Sequence, residues 1–163
     1  MYMGNVQILG FKATINSLEE TLNLINSIRK DDEIIQLFNA DAIVSRNHIL
    51  HGVNQAYLAF ERGENLANDI SVEIALRCSA QRQISKAFKI LGLKEGNMNL
   101  CAVLVNCDDY SSVLSSIFTP DESVLDVDDD ELKKIYKISD GELENMSIEE
   151  IIIDRITKLT VSY

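Results

Sequence analysis

The longest strand-like apolar run in this chain, from Leu100 to Val105, falls far short of the ~18 residues that a membrane-crossing helix needs. It predicts instead a strand over 99–106. Two strand patterns come earlier: 5–13, with Val6, Ile8 and Phe11 about a turn-prone Gly10, and 33–40, with Ile34, Ile35, Leu37 and Phe38. Helical spacing fills the intervals. Ser17 stands at a capping-box distance from Glu20, and Leu18, Leu22, Ile25 and Ile28 follow on one stripe. Asp41 or Ser45 caps a helix that runs to about Arg62 and stops at Gly63. A longer pattern from Asp69 to Leu91 breaks near Ser79-Ala80, because Ile74 and Ile90 leave the stripe of Leu76, Ile84, Ala87 and Leu91. Shorter pieces complete the chain: a helix after Asp109, a strand over 123–127, a helix over 129–138 and a last helix over about 147–159. Strands and helices interleaved in this order predict an α+β fold, a single domain over 1–163 with a small, mainly antiparallel sheet packed with several helices.

One proline and seven glycines leave little room for a long disordered linker. Cys78, Cys101 and Cys107 are an odd set without metal-type pairing, and the start Met-Tyr-Met-Gly-Asn lacks the layout of a signal peptide. A cytoplasmic, disulfide-free protein without membrane contact is the expectation. Charge is more telling. The formal net charge is −11, yet the residues up to Cys107 hold 10 Lys/Arg against 11 Asp/Glu, and those from Asp108 onward hold 5 against 15. So acidic a chain does not hold nucleic acid by overall charge; any phosphate contact has to come from locally placed cations. One acid-free stretch supplies them: Arg77, Arg82, Lys86, Lys89 and Lys94 lie between Glu73 and Glu95. A solvated helix face is the plain alternative for that stretch.

The two histidines, His48 and His51, stand three apart on one predicted helix. Ile49, Val53, Ala56 and Phe60 make its buried stripe, and His48, His51 and Gln55 gather on another face beside the small Gly52 and Ala59. Small residues beside polar ones let a ligand approach closely. Zinc fails on count, because no third ligand is evident nearby. Satisfied structural histidines and a binding surface both stay open. A second constellation runs from Arg77 to Ile84: Gln81, Arg82 and Gln83 at a helix start offer amide and guanidinium forks that suit base edges and phosphates. Such a triplet is also common at ordinary helix starts. No phosphate loop, nucleophile elbow or poised carboxylate pair stands anywhere in the chain, so neither an enzyme nor a cofactor is expected.

The last helix carries Ile148, Ile151, Ile152, Ile156 and Leu159 as a full core stripe, with Met146, Ile153 and Thr160 as a second, opposite strip. A surface helix needs one such stripe. The second marks either a helix sandwiched within its own domain or a surface for a protein partner.

Read together, Asn39-Ala-Asp-Ala-Ile-Val, His48-Ile-Leu-His-Gly-Val-Asn-Gln-Ala, Glu73-Ile-Ala-Leu-Arg, Gln81-Arg-Gln-Ile and Leu91-Gly-Leu-Lys resemble the kinase-binding, tRNA-binding accessory subunit family of the archaeal and eukaryotic KEOPS complex. The resemblance covers about 37–96 and is weak in the acidic part over 108–163. Ala80 stands where the family often has glycine, and the stretch 57–66 is longer than usual. The resemblance implies a non-catalytic subunit of a complex that installs threonylcarbamoyl on the adenosine beside the anticodon of tRNA. It also implies docking on the small kinase/ATPase subunit, through it a link to the threonylcarbamoyl-transferase subunit, and capture of the single-stranded 3′ CCA end. On that basis His48, His51, Gln55, Arg77, Gln81, Arg82 and Gln83 are the expected RNA contacts, and Met146, Ile153 and Thr160 the expected docking strip. Two rivals remain: a protein–protein adaptor that touches no RNA, and a small-molecule-binding or catalytic domain using His48 and His51.

Overall fold

The computed structural model describes residues 3–160. Its centre is strand β3 (Gly96–Val105), which carries the apolar run that the sequence displays. It pairs antiparallel with β1 (Val6–Ile15) on one side and β2 (Ile34–Asn39) on the other, and β1 also takes the two-residue β4 (Thr119–Pro120). The order is β2-β3-β1-β4. A strand in the middle of a covered sheet is buried on both faces, which is why Leu100 to Val105 is apolar without alternation. One face meets α1 (Leu18–Ile28) and α5 (Ser111–Ile117) through Phe11, Ile15, Ile35, Leu37 and Leu104. The other meets the larger helical layer.

That layer holds α2 (Arg46–Arg62), α3 (Ile70–Ser79), α4 (Ile84–Leu91), α6 (Asp129–Ile135) and α7 (Ile148–Lys158). Ser45 caps α2 by accepting from the His48 N–H, while Asp41 lies in a 3-10 turn, Ala40–Ala42. Ser147 and Glu150 form a reciprocal capping box at the start of α7. The break expected near Ser79-Ala80 is real. Ala80 takes left-handed angles (φ 55°, ψ 40°), with its own N–H on the Arg77 carbonyl and the Gln81 N–H on that of Leu76.

Several expectations need correction; Leu22 and Ile84, for example, stand on the expected apolar stripes but are 50% and 52% exposed. The stretch 123–127 is no strand: Glu122–Leu125 is a 3-10 turn, because the Asp121 carboxylate accepts from the backbone N–H and the hydroxyl of Ser123 and folds the chain back. Gly10 is no turn but lies in mid-strand, where an added Cβ would stand 2.7 Å from the Asp121 carbonyl oxygen and 2.9 Å from Val124 Cγ2. Ile74 does not fall outside a stripe: all of α3 from Glu73 to Ser79 is buried, since it lies between neighbours rather than on the surface.

Candidate functional site

The helices α2, α3 and α7 meet around the predicted histidine face. Gly52 lets α2 and α3 touch: a Cβ there would stand 2.4 Å from Cys78 Sγ. The small residues that the sequence offers as room for a ligand are therefore taken up by α3. His48, on the same side, is fully buried. Its Nδ1 accepts from the Val44 N–H (3.1 Å), which leaves Nε2–H to donate to the Cys78 carbonyl at 2.6 Å. Burial pushes its pKa down to about 4, so the ring stays neutral. With both nitrogens occupied and no face exposed, His48 is a structural histidine and is withdrawn as an RNA contact.

Arg77 is withdrawn for the same reason. It is buried on α3, with Nε on the Glu73 carboxylate at 2.7 Å. The other Glu73 oxygen accepts the N–H groups of Leu66 and Ala67, both at 2.7 Å, and Arg77 Nη2 reaches the Glu64 carbonyl at 3.4 Å. The pair thus pins the segment 64–67 that follows α2. Arg77 Nη1 also donates to the Thr160 hydroxyl (3.3 Å), which in turn donates to Gln55 Oε1 (3.4 Å).

The remaining polar residues of this region fasten α7. His51 lies 2.8 Å through Nε2 from the Thr157 hydroxyl, and burial lowers its pKa from the ordinary value. Arg82, exposed beyond α3, donates to the Leu159 carbonyl at 2.6 Å, a favourable partner for the last turn of a helix. The expected RNA wall and the expected docking strip therefore coincide. His51 and Gln55 lie against α7, and Thr160 is joined to both Gln55 and Arg77. Of the strip itself, Met146 packs partly against the core, while Ile153 is half-buried next to the Thr157 hydroxyl that donates to its carbonyl. Around them the outer ridge of α2 and α7 stays open, with Leu50 at 41% exposure and Asn54 and Thr157 exposed.

A different surface gathers the cations. Behind the α3–α4 corner a groove of ≈ 560 Å³ runs from the end of β2 to α6. Gln81 faces it, with Lys86 and Lys89 of α4, Lys94 beyond it and Lys137 beyond α6. Ala80, Ile90 and Ile135 supply apolar surface. None of these four lysines forms an ion pair with a described residue. Arg155 also lines the groove but is engaged by the Tyr136 carbonyl (2.6 Å) and Glu142 (3.0 Å). Gln83 is exposed and makes no capping hydrogen bond through its side chain. Of this site the sequence announced Gln81 and the lysines of the acid-free stretch. It did not announce Lys137, which lies in the acidic third and reaches the groove only through the packing of α6.

No group of three or more His, Cys, Asp or Glu among the described residues is placed to hold a metal ion. Nor is any helix of the described residues long and apolar enough to cross a membrane.

Comparison with known proteins now gives this geometry a context. The model of the family "Kinase binding protein CGI-121" matches residues 11–158, which takes in every element but the start of β1. The chain is 31% identical over 128 residues to the "Regulatory protein Cgi121" of Methanocaldococcus jannaschii, covering 76% of this chain and 84% of the relative. It is 28% identical over 138 residues to the "KEOPS complex subunit Cgi121" of Pyrococcus abyssi, covering 82% of this chain and 74% of that one. The chain belongs to the CGI-121 kinase binding protein family.

Proposed function

We propose that this chain is the accessory subunit of a KEOPS complex that modifies tRNA, docking on its small kinase/ATPase subunit and holding the single-stranded 3′ CCA end of the substrate. In this reading the outer ridge of α2 and α7, with Leu50, Ile153 and Thr157, meets the kinase. The turn at Gln81, Arg82 and Gln83, together with the lysine groove, meets the RNA. His51, Gln55 and Thr160 fasten the two surfaces to one another. The subunit performs no chemistry; the threonylcarbamoyl-transferase subunit, reached through the kinase, is the catalytic partner.

The observation that carries the RNA half is the groove itself. In a chain of net charge −11, four lysines share one concavity and none is ion-paired with a described residue, although Asp41 and Glu131 line the same groove; half-buried amides and apolar surface lie beside them. Duplex RNA is read across ~16 base pairs of shape and backbone, which an acidic body with one local basic groove does not offer. An unpaired end suits it: phosphates meet lysines, a base lies on the apolar surface, and Gln81 reaches a base edge. The family and the name of the Pyrococcus relative support the kinase and KEOPS half.

The test is binding to intact tRNA and to the same tRNA lacking CCA, at matched salt. The reading expects the truncated form to lose most of the affinity that Lys86→Gln and Lys137→Gln also remove. Equal affinities would leave a protein–protein adaptor.

A further inference from the structure

The groove is not uniformly basic. Asp41, from the 3-10 turn after β2, and Glu131, from α6, line it together with the lysines. Both also border the neighbouring hollow that contains Asp126 and Asp128, so they mark the acidic end of the groove. Neither carboxylate takes a hydrogen bond or an ion pair from a described residue. Carboxylates and lysines thus share one concavity without pairing with each other. Such a cavity is complementary to a ligand that is anionic at one end and rich in neutral hydroxyl donors at the other.

An RNA 3′ terminus has that shape of charge. Its internal phosphates are anions, and its last ribose ends in two vicinal hydroxyls without charge. Carboxylates recognise ribose hydroxyls well, as the acidic residue of dinucleotide-binding folds does. Resting on the reading of this groove as the RNA site, we propose that it reads the chemical state of the 3′ end: Asp41 and Glu131 accept from the free 2′,3′-diol while Lys86, Lys89, Lys94 and Lys137 hold the preceding phosphates. A terminus carrying a 3′-phosphate brings ~1.5–2 further negative charges to the carboxylates and is rejected.

The decisive probe is a pair of synthetic oligoribonucleotides of one sequence ending in CCA, one with a 3′-hydroxyl and one with a 3′-phosphate, titrated at fixed salt. The proposal expects the hydroxyl form to bind at least about tenfold more tightly. The double variant Asp41→Asn/Glu131→Gln, shown folded by circular dichroism, should bring the two forms to within about threefold, chiefly by admitting the phosphorylated one. Lys30→Gln, at the opposite end of β2, should leave the ratio unchanged. Equal affinity of the two forms for the wild-type protein overturns the proposal, and so does a preference that survives in the double variant. The tRNA pair with and without CCA separates this from the reading beneath it. CCA-dependent binding with equal affinity for the two oligonucleotides overturns the end-sensing alone, and CCA-independent binding with equal affinity overturns both.

Discussion

His48 on α2 donates a 2.6 Å hydrogen bond from Nε2 to the carbonyl oxygen of Cys78 on α3, and this contact fixes how the two helices cross. The ring is buried and its pKa is about 4 in the folded protein, against about 6.5 in the unfolded chain. As pH falls through 6.5 the unfolded chain takes up a proton that the native ring refuses, so stability falls with it. His51, shifted in the same direction, adds to the slope. Glu33, whose carboxylate is held low by the Tyr110 hydroxyl and the backbone N–H groups of Lys30 and Asp108 against the cost of burial, loses its contribution only at lower pH. The expected loss between pH 6.5 and 4.5 is on the order of 2–3 kcal/mol, read from denaturant midpoints. His48→Leu should be less stable at pH 7, by about 1–3 kcal/mol for each partner left unpaired, and should lose most of the slope across that window, keeping only the part that His51 contributes. An unchanged slope in the variant would assign the titration elsewhere.

The buried pair of Glu73 and Arg77 should behave as one unit. Arg77→Met leaves a carboxylate without its cation and should cost about 3–5 kcal/mol. In the double variant Glu73→Gln/Arg77→Met the two losses should not add, and a double-mutant cycle measures the coupling. Additive losses would mean that the two side chains act independently.

Ala80 holds a left-handed conformation that glycine adopts without steric cost. Ala80→Gly should therefore raise stability by about 0.5–1 kcal/mol, despite the greater freedom of glycine in the unfolded chain. The position borders the lysine groove, so RNA affinity reports whether this turn is held stiff for binding. A lower thermal midpoint in the variant would refute the strain.

Ile153→Glu places a carboxylate on the outer ridge of α7, where the native side chain is half-buried. It should abolish binding of the small kinase subunit while the far-ultraviolet circular dichroism spectrum stays native. Collapse of the spectrum would make Ile153 a core residue of this chain.

Much of this was legible in the sequence, and the failures have physical causes. The strand over 99–106 and the caps at Ser17 and, of the two candidates, Ser45 follow from local chemistry that packing does not override; the break near Ser79-Ala80 is where the stripe places it, although Ile74 is buried and does not leave that stripe. At 123–127 the pattern of Val124 and Leu125 suits a strand, but the Asp121 side chain nucleates a turn two residues on. A helical wheel with one buried stripe puts His48 on an open face, but α2 is covered by α3 on one side and α7 on another. Arg77 belongs to a basic stretch that suggests an RNA contact, and Glu73 one turn earlier is the sign in the sequence of the pair that buries it. The groove itself joins Asn39, Gln81, Glu131 and Lys137, residues that no local pattern connects.

In the proposed reading the kinase and the RNA use separate faces joined by α7. The most direct measurement titrates tRNA into the preformed complex of this chain with its small kinase subunit, and into this chain alone, at one salt concentration. The account predicts a ternary complex in which RNA affinity is equal to or greater than that of the free subunit and remains sensitive to Lys86→Gln. Displacement of the RNA by the kinase subunit would contradict it, because the two ligands would then share one surface.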